Sequence, residues 1–117
     1  MRERYDNGTY QRTFALPRSF QEAYPDKTET FRSVASFVGE CLRRDPDSKV
    51  TVRARLANNK PYQVELVHVN SGGEMLGRKD FPASELGAFR SPEDCVERWE
   101  AEVREARAFL YETGLLE

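Results

Sequence analysis

A chain of 117 residues, 38% hydrophobic and 32% charged, is long enough for one folded domain with a single core, and its seven Phe, five Tyr and one Trp argue against disorder. A net charge of −2 and a pI near 5.6 sit badly with a dedicated nucleic-acid-binding coat. No uninterrupted apolar run approaches membrane-spanning length and no charged-then-apolar leader opens the chain, so a soluble cytoplasmic protein without membrane contact is expected.

The charge is split unevenly. Residues 1–60 carry twelve Lys/Arg against eight Asp/Glu, whereas residues 61–117 carry six against twelve. That asymmetry predicts oppositely charged surfaces.

In chain order, Asp6-Asn7-Gly8 predicts a tight turn, because Asn and Gly both tolerate positive φ. It would join short strands at 2–5 and 9–16 into an N-terminal hairpin (2–16), with Tyr10, Phe14 and Leu16 on one face. Pro17 ends that hairpin, and 17–27 reads as a loop pinned by Phe20 and Tyr24. A helix is predicted over 28–44, capped by Asp26 or Thr28, with Phe31, Val34, Ala35, Val38, Cys41 and Leu42 on one stripe. Asp45-Pro46-Asp47 stops it.

Three strands follow, at 49–56, 61–69 and 74–81. In the first, Val50, Val52, Ala54 and Leu56 share one face while Thr51, Arg53 and Arg55 share the other. In the second, Tyr62, Val64, Leu66 and His68 alternate with Gln63, Glu65, Val67 and Val69. Ala57-Asn58-Asn59-Lys60 reads as the first connecting loop and Asn70-Ser71-Gly72-Gly73 as the second. After Pro82 a short helical turn should hold Leu86 and Phe89. Ser91-Pro92-Glu93-Asp94 then starts a helix over 92–113, with Ser as cap and acids in the first turn. Pairs Asp94–Arg98 and Glu100–Arg104 lie at four-residue spacing on its outer face.

The predicted order is β-β-α-β-β-β-α. It describes one α+β domain over 1–117, with a curved antiparallel sheet and both helices packed on one face. Trp99, Phe31, Val34, Val52, Val64 and Leu66 should meet in its core. The segment from Thr28 to Thr113 resembles the double-stranded RNA-binding domain in element order. The lysine-rich start that this family's last helix would carry is replaced here by the acidic Ser91-Pro92-Glu93-Asp94.

Candidate chemistry is sparse. His68 is the single histidine, sits in the apolar register of its strand and reads as structural. Cys41 and Cys95 fall on apolar helix stripes, which fits buried thiols better than a disulfide. Glu93 and Asp94 would raise the pKa of Cys95 against the helix dipole. With no close Cys/His spacing, neither metal nor other cofactor is expected. Glu65 lies opposite Arg53 and Arg55 and reads as a cross-strand ion-pair partner.

The candidate surface is therefore the wet side of the sheet: Arg53, Arg55, Glu65, Val67 and Arg78, with Val67 exposed and Tyr62 and Phe81 turned inward. These features favour a non-enzymatic protein-interaction module that binds another protein or a second copy of itself through the sheet face or edge. The rivals are RNA or DNA binding through Arg53, Arg55 and Arg78, and a small-ligand binder or enzyme with a cleft between helices and sheet.

Overall fold

The computed structural model describes Leu16, Glu22 and residues 24–116. The N-terminal hairpin and most of the loop after it lie outside the described residues. From there the order is α1 (Glu29–Arg44), β1 (Lys49–Ala57), β2 (Lys60–Val69), β3 (Met75–Pro82), a 3-10 turn (Ala83–Leu86) and α2 (Pro92–Glu112). These strands form an antiparallel sheet of order β1-β2-β3.

Each boundary has a local cause. Thr28 is extended, and its hydroxyl accepts from the Phe31 amide at 3.0 Å, satisfying one open donor of the first turn of α1. Glu29 in that turn and Arg43 and Arg44 in the last suit the helix dipole. The buried stripe of α1 is wider than the periodicity suggests, taking in Phe37, Gly39 and Glu40 as well.

The loop expected over 57–60 tightens to a two-residue turn. Asn58 and Asn59 sit at φ 54° and 65°, the left-handed pair that matches the twist of a hairpin. At the next turn the Asn70 side-chain oxygen accepts from the amides of Gly72 and Glu74, each at 2.9 Å. Ser91 caps α2 by accepting from the Asp94 amide at 3.1 Å, with Pro92 at the first helical position. Beyond α2, Gly114 takes φ 79° and the Leu115 and Leu116 amides donate back to the Leu110 carbonyl, returning Leu116 to the core.

The core lies between the helices and the face of β2 that carries Val64 and Leu66. Phe31, Val34 and Trp99 join it as expected, and Val52 packs at its margin because β1 is an edge strand. Trp99 is fully buried, stacks on Phe81 with ring centroids 5.1 Å apart, and donates its indole N–H to the Ala83 carbonyl at 3.3 Å. Leu86 and Phe89 pack beside the same core. The ion pair on α2 is Arg98–Glu102 at 3.0 Å, in place of the expected Asp94–Arg98 and Glu100–Arg104 pairs. Arg98 has an acid four residues away on either side, and it takes the one that is sequestered against the body, where water competes less for the bond.

Candidate interaction surface on the sheet

Because strand side chains alternate, the residues between Val64, Leu66 and His68 on β2 point away from the helices. The register sets Arg53 opposite Glu65 and Thr51 opposite Val67 across β1, with Asp80 and Arg78 opposite the same two residues across β3. All five residues of the expected surface therefore meet on one face, which is helix-free among the described residues.

Its centre is Glu65. Arg53 Nη2 donates to one carboxylate oxygen at 2.9 Å and Arg55 Nε to the other at 2.5 Å, while Arg78 Nη1 stands 3.8 Å from the second oxygen. Arg78 also pairs with Asp80 at 3.2 Å. The Glu65 side chain is 3% exposed, and among the described residues no helix packs on it. The hydrogen bond from Arg55 leads in holding the carboxyl below its ordinary value, with burial opposing and Arg53 assisting. Reciprocally, the Glu65 hydrogen bond and charge raise the Arg55 guanidinium, and Tyr62 adds a smaller contribution of the same sign.

Two expectations are overturned on this face. Val67 is buried, not exposed, with 4% of its surface accessible. It sits on the central strand between Thr51 and Arg78, where a long arginine stem can shield apolar surface while its head stays in water. Tyr62 does not turn inward and is 52% exposed. The register slips between Arg55 and Leu56, which leaves Tyr62 as the extra, unpaired residue of a bulge and breaks the alternation that pointed it to the core. Phe81 does turn inward and is buried. A second slip, between His68 and Val69, leaves Leu76 unpaired and sets exposed Met75 opposite Val69.

His68, on the covered side, is fully buried, and its Nε2 lies 2.8 Å from Ser48 Oγ. Ser48 Oγ also donates to the Asp45 carbonyl at 2.7 Å, so its hydroxyl links the His68 ring to the residue that ends α1. Burial leads in lowering the His68 pKa below 6.5, Arg44 adds to that shift, and Asp45 partly opposes it. The folded state thus binds the proton less readily than the unfolded chain. The stability that neutral His68 contributes is complete above pH 6.5 and is lost as pH falls through 6.5 toward its own lower value. The urea midpoint should decline across that window, and His68→Gln should flatten it. Since His68 is the single histidine, a persisting slope would refute the assignment.

Cys41 and Cys95 are both buried free thiols. Burial foremost, and then Asp94, raises the Cys95 pKa, which disfavours the thiolate needed for nucleophilic work. An apolar cleft of about 210 Å³ lies between α1, β1 and α2. None of His68, Glu65 or Cys95 lines it, so it does not gather the groups that an enzymatic reading would require. Among the described residues, no cluster of three or more His, Cys, Asp or Glu is placed to hold a metal ion. No described helix is long and apolar enough to cross a membrane.

The helix–three strands–helix order of the double-stranded RNA-binding domain is present in the described residues. No family model, curated protein or solved structure matches the chain.

Proposed function

We propose that this protein is a non-enzymatic interaction module that binds protein, a second copy of itself first, through the helix-free face of its sheet. The carrying observation is the Glu65 hub, one carboxylate shared by Arg53, Arg55 and Arg78 on a central strand. Arginines held in this way have already given up side-chain freedom, so docking orders little more. Around them stand Tyr62 and Met75, both exposed. Arg, Tyr and Met are the residue types enriched at protein interfaces. Glu65 and Asp80 answer most of the positive charge, which suits a partner of mixed charge better than a polyanion.

Light scattering tests this directly. The full chain should approach twice its 13.5 kDa mass as concentration rises, and Arg78→Glu should hold it near the monomer. A monomer at high concentration would remove the self-association reading. Exposed Tyr62 beside Arg55 favours a second reading, single-stranded nucleic acid stacked on the ring and held by the arginines. A low-salt gel shift abolished by R53A/R55A/R78A would support it, and an absence of binding at low salt would exclude it.

A further inference from the structure

The cleft between α1, β1 and α2 has a composition unlike that of the surface around it. Its apolar lining comes from Val38 and Leu42 of α1, Val50 and Val52 of β1, and Val103 of α2. Lys49, Arg104 and Arg107 stand at its rim against one acid, Glu100. Among the described residues, none of these four exposed charges makes an ion pair. The helix that supplies the two arginines is otherwise acidic: α2 carries seven Asp/Glu and three Arg, and two of those three arginines border the cleft. A cationic rim around an apolar floor on an acidic helix is therefore local to this place.

The floor is also half of a sheet edge. β1 pairs with β2 on one side, and among the described residues no strand pairs with the other. Alternate residues of Lys49–Ala57 thus turn backbone donors and acceptors away from β2, beside the apolar cleft. A free edge beside a lined groove is the arrangement by which an extended segment adds as a new strand, its main chain bonding the edge and its alternate side chains filling pockets. The volume of about 210 Å³ lies below the roughly 300–1,000 Å³ of pockets that enclose a whole small ligand. It suits one or two side chains of a longer chain.

Charge selects among such segments. Lys49, Arg104 and Arg107 against the single acid Glu100 make the rim cationic, so it disfavours the like-charged rim of a second copy. We infer that the β1 edge and the cleft beside it form a docking groove for an extended acidic segment of a partner protein, with apolar side chains at its helix-facing positions entering between Val52 and Val103 and carboxylates at the helix-facing positions before and after them meeting Lys49, Arg104 and Arg107. The cleft shares strand β1 with the sheet face, but its lining includes none of Arg53, Arg55, Glu65 and Arg78, so its rim can be changed without altering the hub.

The test uses the full chain and four labelled peptides followed by fluorescence anisotropy: three of the sequence Glu-Ser-Val-Ser-Val-Ser-Glu, which sets Glu and Val on one face of a strand, and one with Lys in place of Glu. Of the three, one is unmodified, and two are N-methylated on alternate residues, in one phase or the other. The unmodified peptide should bind, the Lys counterpart should not, and R104E/R107E should weaken binding by about tenfold or more. Only one N-methyl phase should abolish binding, because one edge of an added strand faces β1 and the other faces solvent. Tolerance of both phases, equal binding of the Lys peptide, or no binding of the unmodified one would each overturn the proposal. Arg104 and Arg107 are exposed side chains of α2, so R104E/R107E should stay folded by circular dichroism, and its solution mass reports on the sheet face separately.

Discussion

Trp99→Ala is expected to lower the free energy of unfolding by about 3–5 kcal/mol, the range for deleting a buried aromatic side chain. Trp99 has no accessible surface, lies against Phe81 and donates to the Ala83 carbonyl, so its removal opens a void and also strands an acceptor. Against a total stability of roughly 5–15 kcal/mol for an ordinary domain, that is a third or more of the whole. The thermal midpoint should fall by about 10–20 °C at this chain length. Trp99→Phe keeps a ring beside Phe81 and loses the N–H donor, and it should cost about 1–2 kcal/mol. Urea titrations followed by far-UV circular dichroism give both values. A loss under about 1 kcal/mol for the alanine variant would mean that Trp99 is not the keystone between α2 and β3.

Glu65→Ala should produce the largest effect of any substitution on the helix-free face, and its signature is a change of sign with salt. In the native protein the carboxylate attracts Arg53 and Arg55 directly and Arg78 more weakly, so added salt screens a favourable interaction. Without it, three guanidinium groups face one another with only Asp80 nearby, and added salt relieves repulsion. The thermal midpoint should therefore fall with salt in the parent and rise with salt in the variant. Acid gives a second readout. The Glu65 pKa lies below its ordinary 4.5, so its stabilisation is complete above pH 4.5 and is lost as pH falls through 4.5 toward the lower folded value. Glu65→Ala should lose that portion of the acid transition. Matching salt slopes in parent and variant would show that the hub contributes nothing.

The elements and their faces were legible because periodicity carries them. The α1 stripe, the alternation Val50-Val52-Ala54 and the Ser91-Pro92 start of α2 follow from backbone geometry and reappear within a residue or two of the expected bounds. The pairing of Arg53 with Glu65 was legible for the same reason, since a short hairpin fixes the residues that face each other. What alternation cannot reveal is where it breaks. Tyr62 was misplaced by a bulge, a local insertion that leaves no hydrophobic signature of its own. Val67 was misjudged because its own segment does not show what packs around it on a central strand, where Thr51 and Arg78 flank it. The cleft beside β1 was illegible in detail, since Leu42, Val52 and Arg104 converge only through the packing of three elements.

The return of Leu116 to the core bears on the order in which this chain can mature. Each strand pairs with its immediate successor, so the sheet can form from local contacts as soon as β3 has been synthesised. The covered face of that sheet still lacks Trp99 and Leu110 of α2 and Leu116 of the turn after it. A nascent chain from which α2 has yet to emerge thus carries a finished meander with only α1 to cover its apolar side. Emergence of α2 closes it, and Trp99 fluorescence would time that closure.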